Sequence, residues 1–109
     1  MITELINLRI SPMPRSANIN GSRKYRLPKA DEPLCKQRYR TTVHFYDRFL
    51  NADGTPTRKN VDNIWKILAD ALGRAYGIDD SWLDWDTRLV KCDWAGESEP
   101  YCVVTVERL

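Results

Sequence analysis

The run from Arg58 to Asp80, RKNVDNIWKILADALGRAYGIDD, constrains this chain more than any other. Val61, Ile64, Trp65, Leu68, Ala71, Leu72 and Ala75 recur at i, i+3, i+4 and i+7, the pattern of a helix with one core-facing stripe. Asn60 precedes the stripe as an expected N-cap, and Gly77 follows it as an expected C-terminal stop. Asp62, Lys66 and Asp70 are four apart and fall on one polar face. An Asp79–Asp80 pair follows the exit, so acidic groups stand at both ends of the helix.

The rest of the chain reads as strands. Residues 4–10 (ELINLRI), 38–50 (RYRTTVHFYDRFL), 81–94 and 101–109 (YCVVTVERL) carry the alternation or the β-branched and aromatic content of strands. NADGTPT between the second strand and the helix is turn chemistry. The order β, loop, β, α, β, β predicts an α+β domain, one long helix packed on a small mixed sheet. With 109 residues, no repeat and no linker, residues 1–109 are expected to form a single domain. No apolar run approaches the roughly 20 residues that cross a bilayer, and the first residues lack a signal-peptide pattern, so a cytoplasmic, non-membrane protein is expected.

Residues 11–33 form a long irregular segment, expected to be a basic loop or arm. Arg15, Asn18, Asn20, Arg23 and Lys24 within it are suited to phosphate and sugar contacts, as are Arg58 and Lys59 before the helix. Charge is divided along the chain. Residues 1–66 hold 13 Lys and Arg against 6 Asp and Glu, whereas residues 67–109 hold 4 against 9. A basic half joined to an acidic half suits a protein that holds phosphates on one surface and cations on another; two mutually attracting solvated faces would give the same count.

Three cysteines without a CxxC spacing argue against a zinc ribbon or a disulfide framework. Cys92 and Cys102 are expected as small apolar residues facing each other across a hairpin, and the lone His44 as structural or surface. Trp82, Trp85 and Trp94 are expected in the core, or else at an interface between subunits.

Each acidic residue alone has a bland explanation. Asp62 complements the helix dipole, Asp62 and Lys66 form an ordinary i,i+4 pair, and Asp79–Asp80 is a solvated turn. Together they resemble the signature of RusA-type Holliday-junction resolvases, through Lys59, Asp62, Asn63, Lys66, Asp70, Ala71, Leu72, Asp79 and Asp80. That resemblance implies a homodimeric, Mg²⁺-dependent (Mn²⁺ being a substitute) endonuclease that nicks four-way DNA junctions in recombination and repair. Catalytic roles would fall to Asp62, Lys66, Asp79 and Asp80, with Asp62 and Asp80 as metal ligands. Asn60 stands where the family has its first acidic residue; its amide oxygen would bind metal without supplying charge. The alternative is therefore a module that binds branched DNA and cuts it weakly or not at all. A metal-independent ribonuclease is disfavoured by the acidic pattern, and a purely structural domain leaves the Asp-Asn-x-x-Lys arrangement unexplained.

Helix length raises a geometric condition. A helix over residues 61–75 is about 22 Å long, which separates Asp62 from Asp80 unless the chain folds back sharply or each site is completed across a dimer.

Overall fold

The structure is a computed structural model and describes residues 4–14, 25–94, 96 and 99–109. Four strands and, among the described residues, one α-helix follow in the order β1 (Glu4–Ile10), β2 (Tyr39–Tyr46), α1 (Val61–Tyr76), β3 (Asp86–Cys92) and β4 (Tyr101–Arg108). The sheet order is β1-β4-β2-β3. β4 is antiparallel to both of its neighbours, whereas β2 and β3 are parallel. A parallel pair cannot be joined by a tight hairpin, so α1 forms the crossover between β2 and β3. The chain is a single α+β domain with a mixed sheet.

Alternation sorts the sheet into two faces. Thr41, Val43 and Phe45 of β2 pair with Val106, Val104 and Cys102 of β4, and all six are buried. Against them lies the apolar side of α1, where Ile64, Trp65, Leu68 and Leu72 are joined by Val61, Ile67, Ala69, Ala71, Gly73 and Ala75. The expected helical stripe is thus buried, and the buried surface is wider than the stripe. Thr41, fully buried, donates its hydroxyl to the Leu83 carbonyl at 2.7 Å.

The C-terminal end of α1 is tied to the irregular segment before β2. Ala30 N–H donates to the Ala75 carbonyl at 2.9 Å, and Leu34 N–H to the Tyr76 carbonyl at 3.0 Å. Carbonyls in the last turn of a helix have no intrahelical donor, and this segment supplies one to Ala75 and one to Tyr76. Arg74 adds a donor to the Tyr25 carbonyl at 2.8 Å.

Four expectations change. The segment 81–94 is not one strand: Asp80–Trp82 is a turn of 3-10 helix, and β3 starts only at Asp86. Asp79 captures the Ser81 N–H with its side chain at 2.9 Å, and such local capping competes with a ladder. β2 likewise stops at Tyr46, where the Asp47 side chain turns to take the Arg48 N–H. Cys92 and Cys102 do not face each other, because β2 lies between β3 and β4: Cys92 pairs with Tyr46 and Cys102 with Phe45. Cys102 is nevertheless a buried apolar residue, and burial pushes its thiol up to about 12. Of the three tryptophans expected in the core, Trp82 packs against it, Trp94 is half-buried, and Trp85 is 56% exposed with the Arg38 guanidinium over its ring. His44 is half-buried in β2.

Candidate functional site

The front of α1 is built as its sequence requires. Asn60 has extended backbone angles, φ −102° and ψ 102°, and its Oδ1 accepts the Asp62 N–H at 3.0 Å. This satisfies one of the first-turn donors and leaves Asp62 exposed in the positive field of the helix start. Lys66 follows one turn later, also exposed.

The back of α1 returns the chain to that face. Gly77 takes the left-handed conformation, φ 69°, that ends many helices, and Ile78 N–H donates to the Gly73 carbonyl at 3.0 Å. Ile78 is buried. The chain then runs back along the helix so closely that a Cβ on Gly73 would lie 2.7 Å from the Ile78 carbonyl oxygen and 3.2 Å from the Asp80 nitrogen. Asp62, Lys66 and Asp80 consequently line one depression, with Trp65, Ala69, Ser81 and Asp84. Of the two ways to bring the acidic groups together, the sharp fold-back is the one observed.

Electrostatics in the depression are unbalanced. The Asp80 carboxyl is pushed above its ordinary value, first by partial burial, then by its hydrogen bond to Asp79 and by the negative charges of Asp79, Asp70 and Asp84. Asp79 is moved the other way, its carboxylate favoured by hydrogen bonds from the Ser81 backbone and side chain. One member of the acidic pair thus caps the 3-10 turn, and the other is disfavoured as a carboxylate by partial burial and by its acidic neighbours.

Asp84 is the site residue that sequence reasoning missed. Its Oδ1 accepts the Trp65 indole N–H at 3.0 Å and the Thr87 hydroxyl at 2.8 Å. The available signal was Trp65 itself, an indole on a core-facing stripe whose N–H needs an acceptor when buried. Asp70 forms an i,i+4 pair with Arg74.

The remaining expected residues lie elsewhere. Arg58, Lys59 and Asn60 line a second groove on the other side of the first turn of α1, together with Asn63. Lys59 is paired with Asp47 at 2.9 Å, while Arg58 forms no salt bridge among the described residues. Asn60 is therefore not gathered into the depression that holds Asp62 and Asp80. Arg15, Asn18, Asn20, Arg23 and Lys24 lie outside the described residues.

Among the described residues, no three or more His, Cys, Asp or Glu side chains are grouped so as to hold a metal. Magnesium asks less than that: it is commonly held by one or two carboxylates and keeps several waters. Two all-oxygen donors, Asp62 and Asp80, beside a further carboxylate that raises the cost of leaving Asp80 unneutralised, fit that chemistry. Among the described residues, no helix is long and apolar enough to cross a membrane. No protein-family model, curated protein or solved structure matches this chain.

Proposed function

We propose that this protein is a Mg²⁺-dependent, structure-selective endodeoxyribonuclease that resolves four-way DNA junctions, acting as a homodimer. The observation that carries it is the return of Asp80 to the face of α1 that bears Asp62 and Lys66, with its carboxylate disfavoured first by partial burial and then by neighbouring acids. A solvated turn would gain nothing from that arrangement. A carboxylate awaiting a cation would.

Asp62 and Asp80 would hold the ion, with Asp84 orienting the wall of the site through Trp65. Bound there, Mg²⁺ would polarise a phosphate oxygen and make its water more acidic. Lys66 places an ammonium group beside the same depression, where it offsets charge developing on the phosphorus. Asp79 holds the 3-10 turn and so fixes Asp80. Arg58 and Lys59, at the entrance to α1, supply cations for the flanking DNA backbone.

A second reading has its own support. Asn60 uses its only oxygen as an N-cap and lies in the neighbouring groove, so it adds nothing to the charge around Asp62 and Asp80. A protein with this site could hold branched DNA and cut it weakly or not at all. A labelled synthetic four-way junction incubated with Mg²⁺, Mn²⁺ or chelator separates the two. Paired, metal-dependent nicks are expected; junction binding without nicks leaves the binding module, and equal affinity for linear duplex overturns both.

A further inference from the structure

The groove on the other side of the first helical turn has a chemistry distinct from that of the acidic depression. We propose that it takes one unstacked nucleobase of the bound strand, preferring a base with an exocyclic amine; this deepens the proposed function and rests on it.

Position is the first argument. Asp62 and Asn63 are consecutive on α1, and consecutive helical residues point about 100° apart. Asp62 lines the acidic depression, and Asn63 lines the groove. A strand whose phosphate sits beside Asp62 and Lys66 therefore has its neighbouring nucleotide at the mouth of the groove.

The walls are the second argument. Met13, Pro14 and Ile64 are buried and form apolar sides to a cavity of about 800 Å³. That lies within the roughly 300–1,000 Å³ of small-ligand sites, which join apolar walls to a few polar groups. The charges of the lining cancel, Arg58 and Lys59 against Asp47 and Glu99. Balanced charge suits a neutral, flat heterocycle better than a second phosphate.

The polar groups give the preference. Asn63 has no hydrogen-bond partner among the described residues, so its amide is available as both donor and acceptor. The Asn60 oxygen already accepts the Asp62 N–H, and its amide nitrogen adds two donors. The Asp47 carboxylate is only 12% exposed, and its Oδ1 takes both the Arg48 N–H and the Lys59 ammonium. Among the described residues its Oδ2 takes no donor, which leaves an acceptor in a largely desolvated wall, where an exocyclic amine is a fitting donor and the carbonyl of thymine is not. Unstacking a base costs a few kcal/mol, least where pairing is already broken, as at a junction crossover.

The test uses a four-way junction carrying 2-aminopurine beside the crossover and a remote dye for anisotropy, in chelator so that nothing is cut. Saturating protein is expected to change 2-aminopurine emission at least twofold, and Asn63→Ala or Asp47→Asn to remove most of that change while anisotropy still reports binding. Unlabelled junctions with adenine or cytosine at that step should compete several-fold better than those with thymine. Binding with unchanged emission, or emission indifferent to both substitutions, overturns the base site; equal competition overturns the amine preference. Base capture without nicking in Mg²⁺ removes only the nuclease reading, and absence of any junction binding removes both.

Discussion

The Asp80 backbone leaves no room for a side chain on Gly73: a methyl group there would meet the Asp80 nitrogen at 3.2 Å and the Ile78 oxygen at 2.7 Å. Glycine inside a helix ordinarily costs up to about 1 kcal/mol relative to alanine, so Gly73→Ala would stabilise an isolated helix. Here the sign reverses. The clash is with backbone, which cannot rotate away, and overpacking of this kind costs about 1–3 kcal/mol. Gly73→Ala should lower Tm by several degrees in a thermal melt. It should also reduce junction cleavage more than junction binding, because Asp80 is displaced while Arg58 and Lys59 are untouched. An unchanged or higher Tm would mean that the return segment does not pack on α1 in this way.

The Trp65–Asp84 hydrogen bond ties α1 to the segment between the 3-10 turn and β3. Hydrogen bonds to charged groups contribute about 1.5–3 kcal/mol, so Trp65→Phe should be destabilising by about that amount. Asp84→Asn keeps an acceptor oxygen for the indole and loses only the charge. It should remain close to wild type in a denaturant titration yet need more Mg²⁺ for half-maximal cleavage. If the two substitutions destabilise equally, charge rather than geometry is what Trp65 requires.

Much of this was legible in the sequence, and the exceptions share a cause. Periodicity identified α1 to within one residue because a 3.6-residue stripe, an amide N-cap and a glycine stop all agree there. The strand edges were less visible, since Asp47 and Asp79 end or delay strands by taking a neighbour's N–H with their own side chains. Sequence spacing brought Asp62 and Lys66 together but not Asp80, whose position depends on Gly73 being able to accept a backbone against it. Asp84 was hidden because its partner lies nineteen residues away on another element. The place of β2 between β3 and β4, which separates Cys92 from Cys102, goes with β2 and β3 being parallel, and alternation within a strand does not encode pairing direction.

Asp79 and Asp80 should respond to pH with opposite signs. Asp80 is raised in the folded protein, so the native state binds the proton more tightly than the unfolded chain. Its contribution is most favourable below the unfolded value of 3.8 and is lost as pH rises through the raised value. Asp79 is lowered, so its contribution is present above 3.8 and is lost as pH falls through the depressed value. Melts from pH 3 to 7 should show Asp80→Asn gaining stability over wild type as pH rises, and Asp79→Asn losing it over the same range. The Asp80→Asn gain should shrink when Mg²⁺ is added to both proteins, since a cation relieves the same repulsion. A gain that Mg²⁺ leaves unchanged would argue against metal binding by Asp80.

Asn60→Asp separates capping from charge. Aspartate caps helices about as well as asparagine, and a carboxylate at the helix start is favoured by the dipole, so folding stability should change by no more than about 0.5 kcal/mol. The carboxylate would stand two residues before Asp62 and add a negative charge near the acidic depression without displacing its lining. If the nuclease reading is right and the amide limits metal binding, the Mg²⁺ concentration for half-maximal nicking should fall by about tenfold, the equivalent of roughly 1.4 kcal/mol of metal affinity. Lys66→Ala in the same background should abolish the nicking but leave Mg²⁺ binding, followed calorimetrically, in place, because the ammonium acts on the phosphate and not on the ion. Should Asn60→Asp bind Mg²⁺ more tightly and still leave junctions intact, the depression holds a cation without hydrolysing DNA, and the binding-module reading stands.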